Sequence, residues 1–379
     1  MTQWSKPRAG SLAFYPRKRA KREMPSYKTF LPQKEREARA LNFLGYKAGM
    51  THVLGKNIHD KSTTFGQDIF VPCTIIECPP IKVFGVRAYS KENGTVHAIA
   101  EAHAQKIEKE LLKKINRFKK KSKKEKEETS KEKTIKDLEG MPEITEFRLL
   151  AHSQPKLSGI GKKRPEVLEI RLSGTKEKQL EYAREKLGKE LNVKECFSEQ
   201  EFVDVKAVTK GHGTTGVIKR FGVKTLKSPK SKTERVVGSI GPWNPSTVMW
   251  TVARAGQHGY HTRTEYSRRI LMIGENGAEI TPGSGFKQYG VVRNSFLLLS
   301  GSVPGPAKRA IALRTSLRKI PENKFKLASI DFIASKGKKQ AHATEYEVKA
   351  QKVETVEEKK AEKKSVEQEI AEAVEGGKK

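Results

Sequence analysis

Cysteine is scarce in this 379-residue chain. Cys73, Cys78 and Cys196 are its three, and with no CxxC pair among them neither a disulfide framework nor a zinc ribbon is indicated. That usage fits a reducing compartment. Long apolar runs are also missing. The longest, near Phe296 to Leu299, is far too short to cross a bilayer, and the opening MTQWSKPRAGSLAFYPRKRAKR has no apolar core of a secretory signal. A soluble, intracellular protein is the expectation. Hydrophobic residues make up 35%, which leaves material for one modest core plus irregular arms. Acid is missing where base is densest: between Lys206 and Tyr266 the only carboxylates are Glu234 and Glu265. Such a segment cannot bury enough apolar surface to fold alone, so it needs a polyanion or a scaffold.

What is present is positive charge. The chain carries 76 Lys+Arg against 44 Asp+Glu, a formal net charge of +32, far more than solubility asks. Nucleic acid is the natural partner, because each neutralised phosphate releases counterions. Residues 1–40 read as an extended basic arm. Pro7, Pro16, Pro25 and Pro32 break any helix, while Lys6, Arg8, Arg17, Lys18, Arg19, Lys21 and Arg22 crowd along it. PRKRAKR could serve as a nuclear import signal, but Trp4, Phe14, Tyr15 and Tyr27 are interleaved with the cations and offer stacking faces that favour a nucleic-acid-binding arm.

The remaining chain is mainly β with an α/β insertion. Residues 41–101 predict the first part of a β-barrel, with turns at Gly45 and Gly49, strands over Ile69–Glu77 and Val83–Tyr89, and a primed hairpin turn at Asn93-Gly94. Residues 102–200 predict the insertion. It opens with a surface helix carrying Ile107, Leu111, Leu112, Ile115 and Phe118, and has a strand over Val167–Leu172 and a helix with Leu180, Ala183, Leu187 and Leu191 that Ser173 or Thr175 could cap. Residues 201–335 predict the second part of the barrel, with strands over Phe202–Val208, Ile270–Gly274, Gly290–Val292, Ser295–Gly305 and Ala310–Arg314. A central extension, 210–266, interrupts it. Residues 336–379 form a Lys/Glu/Ala-rich tail with too little apolar content to pack.

Three constellations invite chemistry. Gly211-His212-Gly213-Thr214-Thr215-Gly216 matches G-x-G-x-x-G, but the residues after it, broken by Gly222, predict no helix opening and so no dinucleotide site. Their better use is close backbone approach to RNA. His212, His258 and His261 could suggest an RNA-processing enzyme, yet no Cys or carboxylate partner of a metal or acid/base site lies nearby except Glu265. No catalytic residue, metal or cofactor is expected. Trp243, between Pro242 and Pro245, should project toward RNA or a protein, whereas Trp250 in VMWTV reads as core.

LGYKAGMT (Leu44 to Thr51), VDVKAVTKGHGTTGVIKRFG (Val203 to Gly222), IGPWNPSTVMWTVARAGQHGYHTRTEY (Ile240 to Tyr266) and GSVPGPAKRAIALR (Gly301 to Arg314) together resemble the large-subunit ribosomal protein L3 family in its archaeal and eukaryotic form. The resemblance covers residues 5–335. It implies a six-stranded translation-protein-type barrel, long N-terminal and central extensions that penetrate ribosomal RNA, a role early in subunit assembly, and a loop tip, Trp243, directed at the peptidyl transferase centre. Implied neighbours are the L-fourteen and L-twenty-four-e types. Where eukaryotic members carry a modifiable histidine this chain has Ser231, so that modification is not expected. The expected RNA-binding set is the arm cations together with Lys47, Lys210, His212, Lys219, Arg220, Lys224, Lys227, Lys230, Lys232 and Arg235, the tip Trp243, the return residues Arg254, Gln257, His258, Tyr260, His261 and Arg263, and then Arg268 and Arg269.

Overall fold

Alternation of inward and outward side chains shapes the strands of this chain, as in DIFVPCTIIE, where Val71 and Cys73 are buried while Phe70 and Pro72 face solvent. The computed structural model describes residues 11–31, 37–59, 62–115, 135–141, 143–226, 234–318, 330 and 332–333. In chain order the strands are β1 (Asn42–Lys56), β2 (Asp68–Glu77), β3 (Ile81–Glu92), β4 (Thr95–His103), β5 (Glu146–His152), β6 (Val167–Arg171), β7 (Glu190–Leu191), β8 (Phe202–Val208), β9 (Gly211–Thr215), β10 (Gly256–Gly259), β11 (Thr262–Gly274), β12 (Phe296–Ser300), β13 (Ala310–Thr315) and β14 (Phe332–Ile333). The helices are short: α1 (Lys109–Leu112), α2 (Ile135–Glu139), α3 (Lys176–Lys186), α4 (Val193–Cys196) and α5 (Val217–Phe221). The fold is thus mainly β, in several sheets. Among the described residues, no helix is long and apolar enough to cross a membrane.

Antiparallel pairing runs from β1 to β13, β8, β11, β12 and β2 and then back to β1, so six strands close on themselves. Gly45 and Gly49, expected at turns, instead lie inside the continuous strand β1. A Cβ at Gly45 would collide with the Ile76 side chain on β2, so glycine is there for close strand packing. A second antiparallel sheet has the order β4-β3-β5-β6, with β7 on the start of β3. It therefore takes β3 and β4 away from the ring to which sequence order had assigned them. The Asn93-Gly94 turn is as expected, with both φ positive.

One buried cluster runs through the ring and under the second sheet, with Phe43, Tyr46, Phe147, Ile170 and Phe296 fully inside. Each such side chain contributes about 1.5–3 kcal/mol. Polar groups stitch the two sheets: Tyr46 donates to Ser153 Oγ at 2.9 Å, and Asn42 donates to the Glu169 carbonyl while accepting from the Arg171 N–H, both at 2.9 Å. Asp204, fully buried on β8, accepts from Arg314 Nη2 at 2.7 Å and from the Ser267 N–H at 3.0 Å. Glu77 is equally buried and accepts from the Tyr289 hydroxyl, the backbone N–H groups of Arg293 and Asn294, and the Asn294 amide. These carboxylates fix loops that an apolar core alone would leave undirected.

Several elements differ from expectation. The surface helix near Ile107 to Phe118 is one turn, α1, whose Leu111 packs on Phe84 and Leu150; Phe118 lies outside the described residues. The expected strand Gly290–Val292 is a turn region closed by a bridge from Phe286 to Gly290, because Val292 fills the space against Gly277 rather than joining a ladder. In α3, Thr175 is the N-cap residue but its side chain makes no capping bond; Gln179 instead turns inward, accepting from the Phe147 N–H at 3.0 Å and donating to the Gly174 carbonyl at 3.1 Å. The tail, 336–379, lies outside the described residues.

Candidate nucleic-acid interface

β8 and β11 do not stop at the ring. Past Val208 and Thr262 their ladder continues through Thr209 and Tyr260 into the two-stranded ribbon β9–β10, which carries the central extension outward. A Cβ at Gly259 (φ +73°) would strike the Lys210 carbonyl, so only glycine lets the ribbon cross there. G-x-G-x-x-G is therefore strand. The chain does open a helix after it, contrary to expectation. That helix, α5, is a single turn between Gly216 and Gly222, with Lys219 and Arg220 in it.

The N-terminal arm lies along this extension. The Ala20 N–H donates to the Tyr260 carbonyl at 2.9 Å. Arg17 Nη1 donates to the Arg220 carbonyl at 3.2 Å, and Arg220 answers with Nη2 to the Arg17 carbonyl at 3.4 Å, Nε to Gln257 and Nη1 to Arg254. Both guanidinium groups stack on Phe221, Arg17 at 4.2 Å and Arg220 at 5.2 Å from the ring centre. Further along, Tyr27 donates to the carbonyls of Asp204 and Ala312, and Lys206 donates to the Ser26 carbonyl. Arm and extension thus form one surface.

Its charge is unneutralised. Among the described residues, no cation between 205 and 264 forms an ion pair with a carboxylate; the nearby pairs are Arg268 with Glu265 and Arg309 with Glu23. Partial burial, then the neighbouring Arg17, lowers the pKa of both Arg220 and Arg263. Lys206 is lowered by burial and then by Arg314 and Lys28. Cations pressed together without acids create a strong positive potential that phosphates would relieve.

His261 is structural. A backbone N–H can only donate, so the Gly259 N–H at 3.1 Å makes His261 Nε2 the acceptor and puts the ring proton on Nδ1, which donates to the Lys18 carbonyl at 3.0 Å. Burial, partly offset by that carbonyl, lowers the His261 pKa. His258 is lowered by burial and then by His212, whose ring centre is 5.0 Å away.

The expected site residues divide by exposure. Lys18, Arg19, Lys21, Arg22, Lys210, His212, Lys219, Lys224, Arg235 and Arg254 are exposed, and Trp243 is 92% exposed. Arg17, Arg220, Gln257, His258, Tyr260, Arg263 and Arg268 are partly buried and build the surface. Lys47 is buried and donates to the Val303 carbonyl at 2.6 Å, and Arg269 is buried with its guanidinium on Phe202; both hold the ring together. Lys6, Arg8, Lys227, Lys230, Lys232 and also Ser231 lie outside the described residues. Trp250, expected in the core, is 65% exposed beside Tyr15. Phe221 was missed, although its place between Arg220 and Gly222 in a basic stretch was a signal.

The model of the family described as ribosomal protein L3 matches residues 1–340. Among curated proteins, the large ribosomal subunit protein uL3 of Methanocaldococcus jannaschii is 46% identical over 339 residues, covering 88% of this chain and 98% of that protein. The uL3 of Archaeoglobus fulgidus is 44% identical over 341 residues, with 89% and 99% covered, and that of Methanoregula boonei is 42% identical over 343 residues at the same coverage. A β-ribbon grown from a closed ring, a basic arm laid along it, and similarity over nearly the whole length lead to one assignment: the chain belongs to the ribosomal protein L3 family.

Proposed function

We propose that this protein binds large-subunit ribosomal RNA through the joint surface of its N-terminal arm and central extension. As a member of its family it is a structural constituent of the large ribosomal subunit rather than an enzyme, works in the cytoplasm, and has ribosomal RNA and other ribosomal proteins as partners. The observation that carries the RNA-binding surface is that, among the described residues from Lys210 to Arg263, the cations have no carboxylate partner. His261 does not support processing chemistry, since both its nitrogens are committed to the backbone.

Finer assignments belong to the same proposal. The closed ring is the six-stranded barrel of the translation-protein type, and the division into arm (1–40), barrel halves around an insertion, extension (210–266) and tail (336–379) follows, with β3 and β4 joining the insertion. The exposed cations face phosphates, together with Lys6, Arg8, Lys227, Lys230 and Lys232 on sequence grounds; Lys47 and Arg269 are reassigned to the scaffold. Neutralising converging phosphates would let the protein act early in assembly, and the exposed Trp243 would support the peptidyl transferase centre from outside its chemistry. L-fourteen- and L-twenty-four-e-type proteins are the proposed neighbours.

Sedimentation through a moderate-salt gradient tests the core of this. The chain should remain with the large subunit at one copy each and be released by nuclease; loss from the subunit, or equal affinity for duplex DNA, overturns it. Subunits carrying Trp243→Ala should assemble but show altered peptidyl transfer, and an unchanged rate removes the tip from the proposal.

A further inference from the structure

Arm and extension enclose a cleft of about 770 Å³, within the range of about 300–1,000 Å³ typical of small-molecule sites. Its walls include Tyr15, Phe221 and Trp250 together with Arg17, Arg220 and Arg254, and no carboxylate lines it. Tyr15 stands edge-on to Trp250 at 5.3 Å, and the reciprocal Arg17 and Arg220 bonds hold the cationic wall in place. Trp250 nonetheless leaves 65% of its surface open. A large ring held open in a charged extension wants a flat partner, and three guanidinium groups without an acid want an anion. One chemical unit offers both.

We infer that this cleft receives a single unpaired nucleotide of RNA, its base stacked on Trp250 and its phosphate on the guanidinium groups. The inference rests on the ribosomal-RNA reading and deepens it. An apolar side chain from a neighbouring protein would cover Trp250 but leave the three cations without an anion, which places it second.

Large subunits purified from cells whose only copy of the chain is wild type, Trp250→Ala or Trp250→Phe can be probed with base-specific modifying reagents. In Trp250→Ala subunits one unpaired base should become several-fold more reactive, and Trp250→Phe, which keeps an aromatic face, should restore protection. Unchanged reactivity with the variant at full occupancy overturns the inference, as does loss of a neighbouring protein instead. The free full-length chain supplies an independent measurement. With Trp4→Phe and Trp243→Phe, Trp250 is the sole indole, and oligoadenylate should quench it while an abasic ribose-phosphate oligomer of equal length should not. Trp250→Ala should weaken oligoadenylate binding by about 5- to 150-fold, the scale of one base–aromatic stack, and leave the abasic oligomer unaffected. Equal losses for both oligomers, or no quenching, overturn it. Absence of the wild-type chain from the subunit would defeat the ribosomal reading, while the titration still decides the cleft.

Discussion

Arg314 in the ring and Arg220 in the extension put the same side chain to opposite uses. Arg314 is buried, lies over the Tyr27 ring, and donates to the Thr29 carbonyl and to the Asp204 carboxylate. Arg220 also stacks on a ring and donates to three carbonyls, but no carboxylate meets it. Its hydrogen bonds are satisfied and its charge is not. Hydrogen bonds to carbonyls therefore fix geometry in both regions, whereas charge neutralisation separates the scaffold from the part built for a polyanion.

Removing the acid from the ring is the strongest way to break this comparison. Asp204→Ala leaves Arg314 buried and uncompensated and also strips the Ser267 and Leu317 N–H groups of their acceptor, so unfolding stability should drop by about 3–5 kcal/mol. Chemical denaturation of the free chain measures it. A loss below about 1 kcal/mol would mean that the ring charge is no better compensated than that of the extension, given typical surface pairs.

How far such contrasts can be read from the sequence varies with their range. Phe202–Val208 and Ala310–Arg314, the latter observed as Ala310–Thr315, were legible because a short run of apolar residues is a local signal, and the β9–β10 crossing is marked by glycine. Pairing partners are not local, which is why β3 and β4 appeared to belong to the ring. Trp250 misled because VMWTV has the composition of a core segment, while the ring it meets, Tyr15, lies on an arm more than two hundred residues earlier in the chain and leaves it mostly exposed. The basic character of the site was visible in the missing carboxylates. That Lys47 is withdrawn from it was not, since only the fold brings the Val303 carbonyl to its ammonium group.

A smaller effect sharpens the other side of the comparison. Replacing the exposed Lys18, Arg19, Lys21 and Arg22 with glutamine should change folding stability by no more than about 0.5 kcal/mol per substitution, because none of them forms an ion pair in the described structure. RNA binding should change instead. With about 0.7–0.9 counterions released per phosphate contact, the plot of log affinity against log salt should become shallower by about 3. Filter binding of large-subunit RNA across a salt series reads this directly, and an unchanged slope would show that the arm cations do not meet phosphates.

The smallest expected effect lies at the base of the extension, where His261 ties the arm to it as a neutral imidazole. Protonating Nε2 would break the bond from the Gly259 N–H and add a charge facing Arg17, Arg220 and Arg263, and burial works in the same direction, so the folded pKa lies below the ordinary value. When the arm is released the ring titrates near its usual pKa of about 6.5. Below that pH the released state binds a proton that the docked state does not, so docking is strongest above about 6.5 and weakens as pH falls through the lower folded value. Hydrogen exchange at Ala20, whose N–H donates to the Tyr260 carbonyl, should show less protection at about pH 5 than at about pH 7 after correction for intrinsic rates. In His261→Gln the profile should be flat. Equal protection at both ends of that range in the unaltered chain would show that the neutral imidazole does not hold the arm, and would leave the Ala20–Tyr260 bond and the Arg17–Arg220 exchange to join it to the extension.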